Sequence, residues 1–577
     1  MAAGAPSKPG WPLAVERGAI RKSTGGRLRV ALVYPNRYHV GMSNLGFQTV
    51  YRLVNAIEHV VCERAFLPEQ DGGKNSRVLT VESLMPIEHF DIIAFSISFE
   101  NDAPALLTIL ETARLPLPAA QRGNAFPLVL AGGVFCFINP EPLAAFIDVF
   151  LLGEAEALIT GFFEHYDPSA GKNDNLLHLA RKVPGIYVPS LYRPRYHKNG
   201  TVDRIEPIAD VPATVKRQMV PDLDDLPTAS VILTPDTTFD DTYLIEVSRG
   251  CPHGCRFCSA GFIYRPPRFR PLSLLKRQVD EGCAMTDRIG LVGAAVSDLP
   301  GVGVLCTQQR GRALRFSFSS LRADALNEQL VRALQESRVK TATIAPDAGS
   351  ERMRRVVNKG ITEDHVLSAA ETLVAAGIPN LKVYFMIGLP TETGEDVAAI
   401  VDLVKRIKHV FLKTSRGKGR IGEITVSLNS FVPKPFTPFQ WAAMDEVKTL
   451  KRKIRIVKTG LGKTANVRVY ADVPRWAYLQ GLIARGDRRV ADILTMGHQN
   501  EGNWPRTFKA SSVNPHFYVH RERASEEAFP WDFIDHGIDK TYLLKEYQRA
   551  LVGRTSAPCP ADPKNCSICG VCEGKAD

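Results

Sequence analysis

Along the first 165 residues, short apolar runs closed by Gly or Pro alternate with stretches of helical period. Arg29-Val-Ala-Leu-Val-Tyr34 stops at Pro35, the pattern of a strand covered on both faces. A helical period runs from about Leu45 to Val60. Asp91–Ser98 is a second buried strand, followed by a helix beginning near Asp102. Pro127–Leu130 is a third, ending on Gly132-Gly133, and Phe146–Leu152 a fourth, ending on Gly153-Glu154. Strands that alternate with helices and end in Gly-rich loops predict an open parallel sheet, with ligands beyond the C-terminal strand ends.

Residues 166–240 are rich in Pro and Asp and are expected to form a linker with a few strands. A second run of strands follows at Tyr243–Val247, Ile289–Gly293, Leu314–Ser319, Thr341–Ala345, Leu381–Ile387 and Ile424–Asn429. Helical segments such as Asn327–Glu336 and Glu363–Ala375 separate them. Six strands are too few for an eight-unit barrel and fit a partial one. The expected fold is α/β: a Rossmann-like parallel sheet over 29–165, a partial (β/α)6 TIM-type barrel over 241–440, and a small Cys-rich C-terminal extension. Residues 1–28 are expected to be a flexible tail, 441–515 a basic helical extension, and 516–577 the region carrying a Cys cluster. No internal repeat is found.

The 577 residues are 45% hydrophobic and 23% charged, which excludes wholesale disorder. The net charge of +11 suits an anionic partner but is spread over a long chain. No uncharged apolar run reaches about 18 residues, and the basic, Gly/Pro-rich N-terminus has no apolar signal core, so a cytoplasmic chain is expected. Three of the eleven Cys lie within Cys251–Cys258 and four within Cys559–Cys572. Such clustering predicts metal ligation in a reducing compartment. Cys62, Cys136, Cys283 and Cys306 are expected to be buried apolar residues.

Cys251-x3-Cys255-x2-Cys258 follows the first strand of the second run, where a barrel places catalytic groups. Three thiolates leave a four-iron cluster with one open iron, whereas structural zinc is closed by four ligands, which here would recruit His253. The spacing, with Phe257 before the third Cys, resembles the radical S-adenosylmethionine (SAM) superfamily over about residues 240–440. That resemblance implies that Cys251, Cys255 and Cys258 hold a [4Fe–4S] cluster. It implies SAM contacts at Phe257, Gly293, Asp347, Ser350, Gly388 and Glu392, with Ser317, Ser319 and Arg322 as further polar candidates. Where the family usually has Gly-Gly-Glu, this chain has Gly293-Ala294-Ala295, so the acidic contact is missing or moved. The implied chemistry is one-electron cleavage of SAM to methionine and a 5′-deoxyadenosyl radical, which removes hydrogen from an unreactive carbon. A one-electron donor such as flavodoxin or ferredoxin is implied as partner.

Residues 29–165 resemble the cobalamin-binding domain that precedes the barrel in one branch of that superfamily. The matching signs are Gly41-Met-Ser-Asn-Leu-Gly46, Ser96-Ile-Ser98, Gly132-Gly133 and Gly153-Glu154-Ala-Glu156. Gly41, Ser96, Gly132 and Gly133 are the implied cobalamin contacts. The cobalt-ligating Asp-x-His-x-x-Gly motif is absent; Asn36, His39 and Gly41 occupy that loop at another spacing. A degenerate domain that binds nothing is the alternative.

Cys559-x6-Cys566-x2-Cys569-x2-Cys572 offers four thiolates, enough for a second [4Fe–4S] cluster or for zinc. Basic residues gather at Arg265–Arg270, Lys405–Arg420 and Lys448–Lys463, read either as solvated surface or as RNA contacts. Phe431–Trp441 resembles the segment leaving the barrel in radical SAM methylthiotransferases. The leading expectation is cobalamin-linked methyl transfer or a related radical modification. The alternatives are methylthiotransferase-like modification of RNA or protein, and a non-enzymatic, metal-stabilised RNA-binding protein.

Overall fold

The computed structural model describes residues 14–68, 77–307, 314–319, 321–416, 421–560 and 566–572. The first sheet contains β1 (Leu28–Tyr34), β2 (Val60–Phe66), β3 (Ile92–Ser96), β4 (Leu128–Gly132), β5 (Val149–Leu151) and β6 (Ile186–Tyr187), in the order β2-β1-β3-β4-β5-β6. All neighbours are parallel except the last pair. Alternate residues of each strand enter different cores. Ala31, Val33, Ile93, Phe95, Val129 and Ala131 pack into one, while Val30, Leu32, Ile92, Ala94, Leu128 and Leu130 pack into the other. Burial on both faces is why these strands appear as unbroken apolar runs. The order reverses between β1 and β3, which makes their C-terminal ends the ligand-binding crevice of such a sheet.

Strand β2 departs from the expected pattern, which has no strand there. Its centre is Glu63-Arg64, which breaks the apolar run. Both charges are nonetheless buried, because Arg64 is paired with Glu16 and Glu82 at 2.7 Å each, and Glu63 accepts from Thr80 at 2.6 Å. The preceding helix therefore ends at Ala56. Residues 166–240 are more ordered than a linker. They supply a helix (Lys172–Lys182), strand β6 and an antiparallel hairpin (Tyr192–Tyr196 with Val202–Pro207).

The second run gives seven parallel strands. β7 (Tyr243–Glu246), β8 (Arg288–Val292) and β9 (Arg315–Phe318) form one sheet. β10 (Thr341–Asp347), β11 (Asn380–Ile387), β12 (Ile424–Ser430) and β13 (Val467–Ala471) form another, also in chain order. A parallel bridge between Leu321 and Ile344 links the two. β13 falls in the segment expected to be helical. Its burial pattern is partly exposed throughout, so it lacks the apolar signature of the six expected strands. Helix Glu363–Ala375 matches its expected bounds and starts with a Thr362 capping box.

The C-terminal region is sewn into the rest. Ile534–Asp535 pairs with Val215–Lys216, and Trp531 and Trp441 are almost fully buried. No helix among the described residues is long and apolar enough to cross a membrane.

Candidate functional site

The Cys251 loop leaves the C-terminal end of β7. Ser248–Arg249 pairs antiparallel with Arg268–Phe269 and closes the loop at its base. Gly250 turns the chain into Cys251 with φ +81°, and a Cβ there would meet the Tyr264 carbonyl oxygen at 2.8 Å, so glycine is required. Inside the loop the Cys258 amide donates to the Cys255 carbonyl at 2.9 Å. Burial pushes the Cys251 thiol up to about 12 and the Cys255 thiol to about 11. A bound cationic centre is what would hold them as thiolates. Among the described residues no three His, Cys, Asp or Glu side chains converge on a single ion. His253, the candidate fourth zinc ligand, is turned onto Asp298 at 2.9 Å. Three soft thiols on one loop, without a fourth ligand, suit an iron–sulfur cluster with an open iron.

The loop is held from outside by residues that no motif indicated. Arg256, between Cys255 and Phe257, is fully buried. Its guanidinium donates to Glu546 at 3.0 and 3.2 Å, to the Val356 carbonyl at 3.0 Å and to the Arg554 carbonyl at 2.7 Å. Asn358 donates to the Gly254 carbonyl at 3.1 Å and accepts from the Ser556 amide at 2.9 Å. An arginine inside a three-Cys motif was the available signal, because a charge so close to thiol ligands must itself be neutralised.

The expected SAM residues fall at C-terminal strand ends but perform different jobs. Gly293 follows β8, and its carbonyl accepts from Ser319 at 2.9 Å. Asp347 closes β10 with φ +63° and is paired with the half-buried Lys359 at 2.6 Å. Lys359 and Arg322 lie within electrostatic reach of Cys255. Ser350 caps the next helix and donates to Asp396 at 2.6 Å. Gly388 follows β11 with φ +82°, and its amide donates to Glu392 at 2.7 Å. Glu392 is also bridged to Lys453 at 2.8 Å, so its carboxylate staples the strand end to the helix Val447–Leu461. Phe257 is half-buried against the core.

A cavity of about 590 Å3 joins the two sheets. From the first sheet it is lined by Ser96, Gly132, Gly133 and Gly153, and from the second by Gly250, Tyr264 and Gly293. Gly133 has φ +104°, and a Cβ there would lie 2.4 Å from the Ile97 carbonyl oxygen. Gly41 does not line the cavity; it packs against Phe66 and Tyr34. His39 is exposed and also lies off the lining. One wall is ionic. Glu154 takes Arg268 at 2.5 Å and Arg249 at 3.2 Å, while Arg249 also meets Glu156 at 2.6 Å and Glu246 at 3.0 Å.

That wall corrects the expectation for Arg265–Arg270. Arg265, Arg268 and Arg270 are buried rather than solvated or free for phosphate, because each serves an internal acceptor: the Gly261 carbonyl, Glu154 and Glu246. In Lys448–Lys463 most basic residues are exposed, but Lys453 is buried between Glu392 and Asp445. Part of Lys405–Arg420 lies outside the described residues.

Two family models match the chain: "Radical SAM proteins, N-terminal" over residues 46–189 and "Radical SAM superfamily" over residues 245–404. The uncharacterized protein MJ0966 of Methanocaldococcus jannaschii is 31% identical over 470 residues, covering 81% of this chain and 90% of the relative. The uncharacterized methyltransferase PH0819 of Pyrococcus horikoshii is 26% identical over 307 residues, covering 50% of this chain and 60% of the relative. Among solved structures, the radical SAM methyltransferase TsrM of Kitasatospora setae, with cobalamin and a [4Fe–4S] cluster bound, aligns with a TM-score of 0.49 at 13% identity. That alignment covers 84% of this chain and 100% of TsrM. The non-enzymatic reading falls with these family matches: the chain belongs to the radical SAM superfamily and is a radical SAM enzyme whose cofactors are a [4Fe–4S] cluster and SAM.

Proposed function

We propose that this enzyme performs cobalamin-linked methyl transfer to an unactivated carbon, with the cobalamin between the two sheets. The observation that carries this reading is the single cavity shared by the switch-point sheet and the base of the Cys loop. A cofactor lying on Gly132 and Gly133 would face the loop that holds Cys251. The cavity's volume and largely apolar lining are those of a cofactor site. The name of the methyltransferase relative points the same way.

In this reading the seven parallel strands in chain order are a partial barrel, with Cys251, Cys255 and Cys258 holding the cluster at its open end. SAM and the reduced cluster supply the 5′-deoxyadenosyl radical, and cobalamin the methyl group. The protein's own residues orient and exclude water. Gly293, Asp347, Ser350 and Gly388 set the strand-end backbone that frames SAM, with Phe257 beside the third Cys. Glu392 acts through Lys453 by fixing the loop after β11. Ser96, Gly132 and Gly133 allow close approach on the other side. The electron comes from a flavodoxin- or ferredoxin-class donor.

The test is anaerobic reconstitution of the full chain with iron, sulfide and hydroxocobalamin, followed by metal analysis and absorbance. Wild type is expected to retain iron, sulfide and cobalamin. A Cys251/Cys255/Cys258→Ala variant should keep cobalamin and lose the SAM-binding cluster, and a Gly132→Phe variant, at a lining position where a Cβ meets nothing closer than 3.8 Å, should do the reverse. Wild type that binds iron but no cobalamin overturns the methyl-transfer reading.

A further inference from the structure

Cys559, the first of the four C-terminal cysteines, lies against the first Cys loop, although about 300 residues separate them in sequence. The Cys559 amide donates to the carbonyl of Pro252, the residue after Cys251, at 2.8 Å. Covalent geometry then limits the Cα atoms of Cys251 and Cys559 to about 11 Å apart. Cys559 lies within electrostatic reach of Cys566 and Cys569. The buried guanidinium of Arg265, just after the first loop, faces Cys559 and Cys569. Cys569 is itself buried, and its carbonyl accepts from the Asp539 amide at 3.0 Å. Gly570, with φ +86°, turns the chain between Cys569 and Cys572.

We propose that Cys559, Cys566, Cys569 and Cys572 hold a second iron–sulfur cluster, through which the electron enters on its way to the first. The donor set favours iron–sulfur over zinc. It is a C-x2-C-x2-C run with a separate Cys559 followed by Pro560, the parts of a bacterial ferredoxin site in changed order. Structural zinc sites instead pair their ligands on two separated knuckles. Four thiolates close the cluster, so it binds no SAM and has a carrier's coordination. Arg265 offsets the negative charge of the thiolates.

Each set has one buried cysteine, Cys255 and Cys569, and its other cysteines are half-buried. What distinguishes the second set is its neighbourhood in the chain: Ile568, between Cys566 and Cys569, is exposed, as are Leu551 and Val552 upstream of Cys559. Lys545, Arg549 and Arg554 are exposed on the helix Lys540–Leu551 and the turn after it. An apolar patch edged with positive charge suits an acidic flavodoxin- or ferredoxin-class donor. One electron passes from that reduced donor to the second cluster and then to the first, and neither transfer makes or breaks a bond.

This inference rests on the first Cys loop holding a cluster, and the test separates the two. Full-length protein is reconstituted anaerobically as wild type, as a Cys566/Cys569/Cys572→Ser variant and as a Cys251/Cys255/Cys258→Ala variant. Iron, sulfide and zinc are counted, and the dithionite-reduced samples are examined by electron paramagnetic resonance. Wild type should hold about eight irons and each variant about four. The wild-type resonance should show two interacting centres, and each variant an isolated one. Reduction of the first cluster by reduced flavodoxin should slow in the C-terminal variant, while reduction by dithionite should not. Zinc in the C-terminal set, or no iron left in the Cys251/Cys255/Cys258→Ala variant, overturns the second cluster. Equal flavodoxin rates overturn its role as entry point. Loss of only the first set's iron from wild type would sink the radical SAM assignment of Cys251 while leaving the second cluster standing.

Discussion

Glu154→Gln should open the seam between the two sheets. The carboxylate is almost fully buried and meets only donors. Arg268 reaches it with both terminal nitrogens, at 2.5 and 3.1 Å; Arg249 reaches it at 3.2 Å and the Val220 amide at 3.1 Å. Burial opposes ionisation of Glu154, but the Arg268 hydrogen bonds and the Arg249 and Arg268 charges outweigh it and hold the carboxyl below its usual range. Glutamine keeps one acceptor and turns an amide donor onto the remaining donors. Arg249 still has Glu156 and Glu246, whereas Arg268 keeps only the Val220 carbonyl. A buried charge stripped of its partner costs about 3–5 kcal/mol. That is roughly a hundred- to several-thousand-fold in the opening equilibrium.

A chain of 577 residues does not unfold in two states, so hydrogen–deuterium exchange is the suitable assay. The reporters are seam amides: Glu154 donating to the Gln218 carbonyl, Gln218 to Leu152 and Arg270 to Val247. Their exchange should accelerate by the factor above, while the β11–β12 amides keep their protection. Replacing both partners with apolar residues, Glu154→Leu with Arg268→Met, should recover most of the loss. Acceleration below about tenfold in Glu154→Gln would mean that the pair behaves like an exposed surface bridge, and the argument from burial would be wrong.

Gly133→Ala should destabilise the first sheet by about 1–3 kcal/mol, read by exchange at β3 and β4, because its positive φ and the 2.4 Å approach to Ile97 leave no room for a Cβ. Trp531→Ala should cost about 3–5 kcal/mol and expose the C-terminal region to limited proteolysis, since the indole is fully buried. His536, buried against the Phe137 carbonyl, is pushed down by burial to about 3, with the Arg217 charge acting in the same direction. Its unfolded value is near 6.5, so the unfolded chain takes up a proton that the folded chain refuses between those values. Stability should therefore fall by up to about 1.4 kcal/mol per unit as pH drops below 6.5, and His536→Gln should flatten that slope in a pH series of hydrogen–deuterium exchange corrected for intrinsic rates. Arg256→Met should lower iron retention on reconstitution, read by metal analysis, because it releases the Cys255–Cys258 turn from Glu546.

What was legible in the sequence was local. A thiolate site built on one loop must carry its ligands at short spacing, so Cys251, Cys255 and Cys258 were visible as a group, as were the four C-terminal cysteines. Strands buried on both faces must be apolar throughout, so β1, β3 and β4 were visible, and the six expected strands of the second run were visible because each keeps buried apolar positions. β2 was hidden because Arg64 takes its counter-charges from Glu16 and Glu82, outside any window around the strand. β13 was hidden because it is partly exposed along its length. The residues that hold the site together were hidden for the same reason as β2. Arg256 and Glu546 are 290 residues apart, and Glu154 and Arg268 are 114 apart. A buried arginine and a solvated one look alike in sequence, since only the distant partner distinguishes them. This is why the Arg265–Arg270 run resembled a nucleic-acid surface, whereas Arg268 and Arg270 are in fact buried behind the cavity wall as partners of its carboxylates Glu154 and Glu246. The same argument applies to the second Cys set. Its cysteines were legible, but the role proposed for them depends on the Cys559–Pro252 contact, which only the folded chain provides.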